Sequence, residues 1–404
     1  MNSISREIAK LPQIKEIVKS YKELSPIHMY GLSDSSKSHI ALTLFEEIDK
    51  TSLLACENER IAKKYVYEIN SISTDKALFL PSLDINFYNI KSLEKDNEIA
   101  RLNVLNKLTS KENFILVTTI EALGNKLTST KDFTDNLIRL DLDSEIDTQD
   151  FKEKLSILNY SQNKLVESKC QFSIRGSIID VWPLSYDNPI RIELFDTEID
   201  SIRIFDKDTQ RSIGKLDELV ISPASELLYG KDDYEEVISN IDKDIKKFSK
   251  KKSNNSNDVK LMDKYKQILA FLEERFYIAN QDLINAYRTS NYSTIFDYLP
   301  DDAFIIYDDF SRCLEEFKEI ENKFDADLAY QMDKGEVFAS FKNLKVNPSD
   351  LYKQSLDFPI LDMSSLLKRA KLLTPKRILE LKTMEAESFN KNINSFIDSI
   401  KYLK

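Results

Sequence analysis

The stretch GLSDSSKS, residues 31–38, contains most of a phosphate-binding loop. The pattern G-x-x-x-x-G-K-[ST] holds phosphates on backbone N–H groups, with the lysine on the phosphate charge and the hydroxyl on Mg²⁺. Gly31, Lys37 and Ser38 match it, but Ser36 replaces the second glycine and places a Cβ where the backbone must wrap the phosphate. We therefore predict a degenerate nucleotide site that is retained for its fold, with residual nucleotide binding as the alternative.

A second motif, FIIYDD (304–309), has the form of the strand that holds Mg²⁺ in helicase-like ATPases. There an aspartate binds the metal, and the carboxylate after it orients the attacking water. Asp308 takes the first position, and Asp309 stands where a glutamate is expected, one methylene shorter. A misplacement of about 1 Å can cost about 10²-fold in rate. Two altered motifs together indicate lost catalysis; the simpler interpretation is a strand end with two acidic, solvent-facing residues.

Arg175, Arg191 and Phe195 are candidates for one exposed, protein-binding face. They lie in QFSIRGSIIDVWPL and IRIELF, where apolar and polar residues alternate with period two, as in strands. On the first strand, the side opposite Arg175 is predicted to carry Phe172, Ile174, Gly176 and Ile178. Arginine beside an aromatic ring is typical of interface hot spots. An ordinary solvated sheet face remains the alternative.

The composition excludes several classes of protein. The chain has 404 residues and a net charge of −11, which predicts two to four domains and repels phosphate backbones except at a local basic face. No run of 18 apolar residues occurs, so no membrane partner is predicted. The scattered Cys56, Cys170 and Cys313 form no CxxC pair, which predicts a cytoplasmic location and no metal site. His28 and His39 have no Ser-His-Asp setting, and no catalytic residue is predicted.

The order of patterns along the chain predicts how these motifs are positioned. Alternating strands and helices over 1–137 indicate the start of a parallel α/β sheet, and GLSDSSKS lies between a strand and a helix of it. An antiparallel meander is predicted over 138–223, and helices with buried strands return over 224–345. Residues 346–404 are predicted to be a linker and the start of a further α/β domain, as in a piece of a longer protein. The Lys-, Ser- and Asn-rich segment 245–258 is predicted to be a solvated loop.

Several stretches together resemble a known family. RGSIIDVWPL, NPIRIELFDTEIDSIRIFDKDTQRSI and ISPASE are similar to the N-terminal UvrB-homology module of the bacterial transcription-repair coupling factors, Mfd. The resemblance is nearly continuous over 172–226, and LFLPS, EIARLNVLNKL, FILVTTIEALGNKL and DYLPDDAFIIYDD extend it. It implies a RecA-like, helicase-type α/β domain that is split by an inserted β-rich domain.

The resemblance also implies a function. In this family the module is a non-catalytic adaptor of transcription-coupled nucleotide excision repair, and it recruits the repair protein UvrA to stalled RNA polymerase. The family's UvrA-binding arginines and phenylalanine match Arg175, Arg191 and Phe195. ATP and Mg²⁺, like the contacts with RNA polymerase and DNA, would belong to translocase and polymerase-binding domains outside this sequence.

The alternative is a UvrB-like, nucleotide-dependent ATPase that binds damaged DNA. UvrB also binds UvrA, but it has an intact Gly-Lys-Thr loop and an aromatic-rich β-hairpin that clamps DNA. Here Ser36 interrupts the loop, and only nine residues separate Tyr88 from Glu98. Both departures favour the coupling-factor family. Weak, salt-dependent DNA binding by the lysines within 246–252 is a third interpretation.

Overall fold

The computed structural model describes most of the chain. The described residues are 2–83, 95–110, 112–226, 228, 231–250, 256–274, 281–368, 372–384, 397 and 401. The region in which no DNA-clamping hairpin is expected falls largely in 84–94, outside the described residues. Among the described residues, no helix is both long enough and apolar enough to cross a membrane.

The helices and strands alternate at both ends of the chain, and strands dominate its middle. The helices are α1 (Ser3–Ile8), α2 (Pro12–Leu24), α3 (Asp34–Ile48), α4 (Glu59–Ile72), α5 (Lys95–Thr109), α6 (Ile120–Leu123), α7 (Thr130–Asp135), α8 (Thr148–Ile157), α9 (Lys231–Ser249), α10 (Ser256–Glu273), α11 (Gln281–Tyr287), α12 (Ile295–Tyr298), α13 (Phe310–Asp333), α14 (Pro348–Ser355) and a 3-10 helix (Ala339–Leu344). The strands are β1 (Ile27–Tyr30), β2 (Ser52–Cys56), β3 (Ala77–Leu80), β4 (Ile115–Thr119), β5 (Ile138–Asp141), β6 (Ser161–Gln162), β7 (Gln171–Arg175), β8 (Ile178–Val181), β9 (Ile190–Phe195), β10 (Glu198–Phe205), β11 (Ser212–Lys215), β12 (Glu218–Ile221), β13 (Phe304–Asp308), β14 (Ile360–Ser364) and β15 (Arg377–Glu380).

Seven parallel strands form the larger sheet, in the order β15-β1-β14-β13-β2-β4-β3. Strands such as β2 and β14 are buried along their whole length, as expected when helices cover both faces of a parallel sheet. Leu53 and Ile305 belong to the core on one side, and Leu54 and Ile306 belong to the core on the other. The predicted parallel α/β architecture is confirmed.

The structure corrects the prediction that a further domain starts after residue 345. Strand β14 lies between β1 and β13, with Leu361 opposite Ile27, and β15 pairs with the other edge of β1. A fully buried strand must pair its N–H and C=O groups on both sides, and β1 and β13 supply the partners. Strands β14 and β15 therefore complete the first sheet. Among the described residues of 365–376, no helix forms.

The β-rich insert has a sheet of its own. Six strands run in the order β11-β10-β9-β8-β7-β6, all antiparallel except the β6–β7 pair. Its inner face packs against α8 through a core that includes Phe151, Leu155, Phe172 and Ile192. Strands β5 and β12 pair antiparallel where the chain enters and leaves the insert, with Ile138 opposite Ile221. The insert is thus closed at its base by a two-stranded ladder.

A helical cluster packs beside the parallel sheet and corrects the predicted loop at 245–258. Residues 245–249 end α9, and 256–258 begin α10. Ile245 is buried in the core that these helices share with α11, α13 and the 3-10 helix, and the Phe248 ring lies 5.3 Å from the Phe338 ring. The apolar positions within the Lys-rich run therefore decide its structure. The middle of that segment, 251–255, lies outside the described residues.

Candidate protein-binding face and nucleotide site

Arg175, Arg191 and Phe195 all lie on the outer face of the insert's six-stranded sheet. Along β9 the residues alternate between buried and less buried positions, and Arg191 and Phe195 take the less buried ones. Arg175 ends β7, and Phe195 ends β9 beside the β7–β8 turn, where the Leu194 N–H donates to the Ser177 carbonyl over 2.8 Å. Phe195 is 77% exposed. The structure therefore brings the three predicted residues onto one face.

Both arginines are held by a single buried carboxylate, that of Asp180 on β8. Arg191 donates from Nε to Asp180 Oδ1 over 2.7 Å and from Nη2 to Oδ2 over 3.0 Å. Arg175 Nη2 donates to the same Oδ2. Gln210 Oε1 accepts from Arg191 Nη2 over 2.9 Å, and the Arg191 guanidinium lies over the Phe205 ring, 4.4 Å from its centre. The Asp180 hydrogen bond outweighs partial burial and raises the pKa of Arg191.

Sequence reasoning missed several residues of this face. Ile178 was expected on the apolar side, but it lies directly opposite Arg175, because the two-residue turn at Gly176 and Ser177 resets the alternation. Glu193 and Arg203 also share the face, 3.1 Å apart as an ion pair. Asp180 is two residues from Ile178 and faces the same side, opposite Arg191, so its placement depends on the same turn.

The candidate phosphate loop lies between β1 and α3, as predicted, but most of it is helix. Helix α3 begins at Asp34, and the Ser36 N–H already donates to the Ser33 carbonyl over 3.1 Å. A phosphate loop needs these N–H groups free to face the anion. The Ser36 hydroxyl also donates to the Ser33 carbonyl, over 2.8 Å. Ser38 is buried, with its hydroxyl 3.4 Å from the Ser35 carbonyl.

The segment after β15 runs across this loop and bonds to it. The Thr383 N–H donates to the Gly31 carbonyl over 3.0 Å, and the Ser33 N–H donates to Thr383 Oγ1 over 2.7 Å. Thr383 Oγ1 also lies 2.9 Å from Ser36 Oγ. Gly31 has a φ of +90°, and a Cβ there would lie 3.0 Å from the Leu381 carbonyl oxygen. Glycine is therefore required at this position by the close approach of the chain's own backbone.

Lys37 and Asp308 form a buried ion pair at this site. Lys37 Nζ lies 2.5 Å from Asp308 Oδ1 and 3.4 Å from Asp34 Oδ1, and the lysine side chain is 3% exposed. Burial lowers the pKa of Lys37, but the Asp308 carboxylate outweighs burial and the net shift of the pKa is upward. The lysine that would contact a phosphate and the aspartate that would hold Mg²⁺ thus neutralise each other.

Asp309 is buried and is bonded within the fold. It has a φ of +58° and caps α13, where its carboxylate accepts from the Arg312 N–H over 3.2 Å. Lys368 Nζ donates to its other oxygen over 2.9 Å. Among the described residues, no group of three or more His, Cys, Asp and Glu side chains is arranged to hold a metal ion.

A buried polar cluster that the sequence did not predict borders this site. His28 Nε2 lies 2.7 Å from Ser364 Oγ and 3.7 Å from Asp362 Oδ2. The Phe310 N–H donates to Asp362 Oδ1 over 2.9 Å. Burial raises the pKa of Asp362 to about 7, and burial lowers the pKa of His28. The cluster arises because β14 inserts beside β1 and brings residue 362 opposite residue 28.

A family comparison matches the insert. Residues 138–227 match the model of the UvrB interaction domain, which covers the whole insert. The chain is therefore a parallel α/β sheet that is interrupted by an insert similar to the UvrB interaction domain, as the resemblance of the sequence implied.

Three curated relatives of the chain are all transcription-repair-coupling factors. Over its whole length the chain is 27% identical to the transcription-repair-coupling factor of Bacillus subtilis. Over 76% of its length it is 29% identical to that of Staphylococcus aureus and 28% identical to that of Staphylococcus haemolyticus. The chain covers 34% of the first protein and 26% of the other two, so it spans about a third or less of these relatives. The resemblance to transcription-repair coupling factors is confirmed.

Proposed function

We propose that this chain is a non-catalytic adaptor of transcription-coupled nucleotide excision repair that recruits UvrA. The observation that carries the proposal is the Arg175–Arg191–Phe195 face, which is presented on the outer side of a domain that matches the UvrB interaction domain. RNA polymerase and DNA would be contacted by parts of the longer relatives that this chain does not span. The proposed partner and role place the activity in the cytoplasm.

The face supplies the chemistry that such a partner site needs. Arg175 is 43% exposed and uses one Nη2 bond to Asp180, so its other donors face outward. Phe195 provides an exposed apolar anchor at one edge of the same face. Arginine and aromatic anchors dominate the energy of protein interfaces. We propose 138–223, closed by the β5–β12 ladder, as the UvrA-binding unit.

The proposal is tested by calorimetry with UvrA from the same organism. We expect Arg191→Glu to weaken binding by at least about 2 kcal/mol, which is about 30-fold in Kd. Simultaneous replacement of Arg175, Arg191 and Phe195 by alanine should abolish binding. Matched controls are Arg139→Ala, an exposed arginine on β5, and Phe271→Ala, an exposed phenylalanine on α10. Unchanged affinity in folded triple-alanine protein would contradict the assignment.

The competing nucleotide-dependent, UvrB-like function requires the Lys37 site to open. The Lys37–Asp308 pair and the bonds from Thr383 weigh against it, because phosphate and Mg²⁺ would have to displace both. We expect no binding of fluorescent ATP with Mg²⁺ at micromolar protein concentrations. Micromolar binding that disappears in Lys37→Ala, with the melting temperature of that variant measured alongside, would revive this function.

A further inference from the structure

Asp180 occupies an unusual position for a carboxylate. Its side chain is 1% exposed, although it lies on the sheet face that points away from the insert's core. Burying a carboxylate is costly unless charged hydrogen-bond donors compensate it. Here the compensation comes from the two arginines of the proposed binding face.

The two arginines are held to different extents. Arg191 uses its Nε–Nη2 edge on Asp180, touches Gln210 and stacks on Phe205, and it is only 19% exposed. Arg175 makes one bond to Asp180 and stays more exposed. The geometry thus fixes one guanidinium firmly and orients the other while leaving its remaining donors available.

The charge of the cluster selects the partner's chemistry. Two guanidinium groups against one carboxylate leave one net positive charge, and the neighbouring Glu193–Arg203 pair adds none. A planar guanidinium with free donors matches a carboxylate. The site would therefore bind an acidic side chain on its partner, next to the apolar surface of Phe195.

We propose that Asp180 is the positioning residue of this face: it sets both arginines in their binding orientation before the partner arrives, and the partner group they receive is a carboxylate. This inference rests on the proposed function. Ordering a long side chain at an interface weakens binding, and a face that is ordered beforehand avoids that loss. Removing the Asp180 charge should release both arginines and weaken UvrA binding by about tenfold.

The test is a double-mutant cycle in the full chain, measured by calorimetry against UvrA. Asp180→Asn keeps the side-chain shape and removes the charge. We expect about tenfold weaker binding from Asp180→Asn in the wild-type background. In a protein that already carries Arg175→Ala and Arg191→Ala, we expect Asp180→Asn to change the remaining UvrA affinity, which Phe195 supports, by less than twofold. An equal loss in both backgrounds, or no loss in the wild-type background, would overturn the proposal.

Two further measurements keep the result interpretable. Gln210→Ala removes the hydrogen bond between Gln210 and Arg191 and leaves the Asp180 carboxylate in place, so it replaces Asp180→Asn if that variant does not fold. We expect Gln210→Ala to weaken UvrA binding about threefold, and to have no effect when Arg191 is alanine. The Nε–H resonance of Arg191, observed without UvrA, should be protected from solvent exchange in wild type and lose protection in Asp180→Asn. If the Arg191 resonance is protected but the wild type does not bind UvrA, the proposed function is wrong and the arrangement around Asp180 stands. If the resonance is unprotected in the wild type, Asp180 does not position Arg191.

Discussion

Buried carboxylates hold the basic side chains at both candidate sites, with opposite consequences. At the nucleotide site, Asp308 holds a lysine that is almost completely buried, so no charge is left for a phosphate. On the insert, Asp180 holds two arginines, and one of them keeps much of its side chain in solvent. The same interaction therefore closes one site and organises the other. Exposure, rather than residue type, separates them.

The residue-scale prediction concerns Asp362. Burial raises its pKa from 3.8 to about 7, so between these pH values the folded protein binds a proton that the unfolded chain has released. The free energy of unfolding contributed by this carboxyl is therefore highest below pH 4 and falls as the pH rises to 7. The lowered pKa of His28 gives the opposite slope, and burial, its main cause, is present in wild type and Asp362→Asn alike.

The comparison with Asp362→Asn isolates the carboxyl, because the amide can still accept from the Phe310 N–H. One pKa unit corresponds to about 1.4 kcal/mol, and from pH 4 to pH 7 we expect wild type to lose at least that much more stability than Asp362→Asn. Urea unfolding should be followed by helical circular dichroism, since the single tryptophan, Trp182, lies in the insert. Parallel pH profiles of the two proteins would contradict the prediction.

At the scale of elements, the phosphate loop is best understood as a support for the segment after β15. The Thr383 hydroxyl oxygen accepts a hydrogen bond from the Ser33 N–H and lies within hydrogen-bond distance of Ser36 Oγ. Ser36, the residue that breaks the phosphate-binding pattern, thus has a bonding partner that glycine would lack. The loop keeps its strand–loop–helix geometry while its polar groups serve contacts within the chain.

Thr383→Val should loosen this connection, because valine has the same shape and no hydroxyl. Each hydrogen bond contributes about 1 kcal/mol, which is about fivefold in an equilibrium constant, so we expect amide exchange of Ser33 to become at least about fivefold faster. Thr383→Ser is the matched control, since it keeps the hydroxyl, and its exchange should stay within about threefold of wild type. Equal exchange rates in Thr383→Val and wild type would show that the segment does not hold the loop.

Sequence periodicity predicted most elements but not their pairing. The parallel sheet, the antiparallel insert and the Arg/Phe face follow from local patterns that the structure reproduces. Strand β14 was assigned to a further domain, because no local signal shows that residue 361 lies opposite residue 27. Asp180 and Ile178 were missed for a related reason: their side of the sheet depends on a turn and a register rather than on one strand's pattern.

At the scale of the whole molecule, the chain combines a sheet whose candidate nucleotide site is filled by contacts within the chain with an insert whose outer face is exposed. Leu184 of the insert packs into the core on one side of the sheet, and polar bonds add to this contact: Arg101 donates to both carboxylate oxygens of Glu226, and Asn106 Nδ2 donates to Ser222 Oγ over 2.8 Å. Arg101 is fully buried. These contacts fix where the insert leaves the sheet, while the proposed partner face lies on the insert's own strands.

The insert should therefore act alone. We expect residues 138–227, expressed as a separate chain, to give the circular dichroism of a β-sheet protein and to bind UvrA within about tenfold of the full chain. The core of this segment includes β5, β12 and α8, so its main apolar contacts stay intact. A collapsed, unfolded segment would mean that the Arg101 and Asn106 contacts are needed for folding.

The β5–β12 ladder has one more consequence. It brings residues 138 and 221 side by side, so the chain leaves the insert close to where it entered. If heat unfolds the insert first, the insert becomes a long loop between two parts of the larger sheet. The entropic cost of closing such a loop grows only with the logarithm of its length, so the larger sheet loses little stability. A thermal scan should then show two separate transitions, and the partner surface could unfold and refold while the seven strands stay in place.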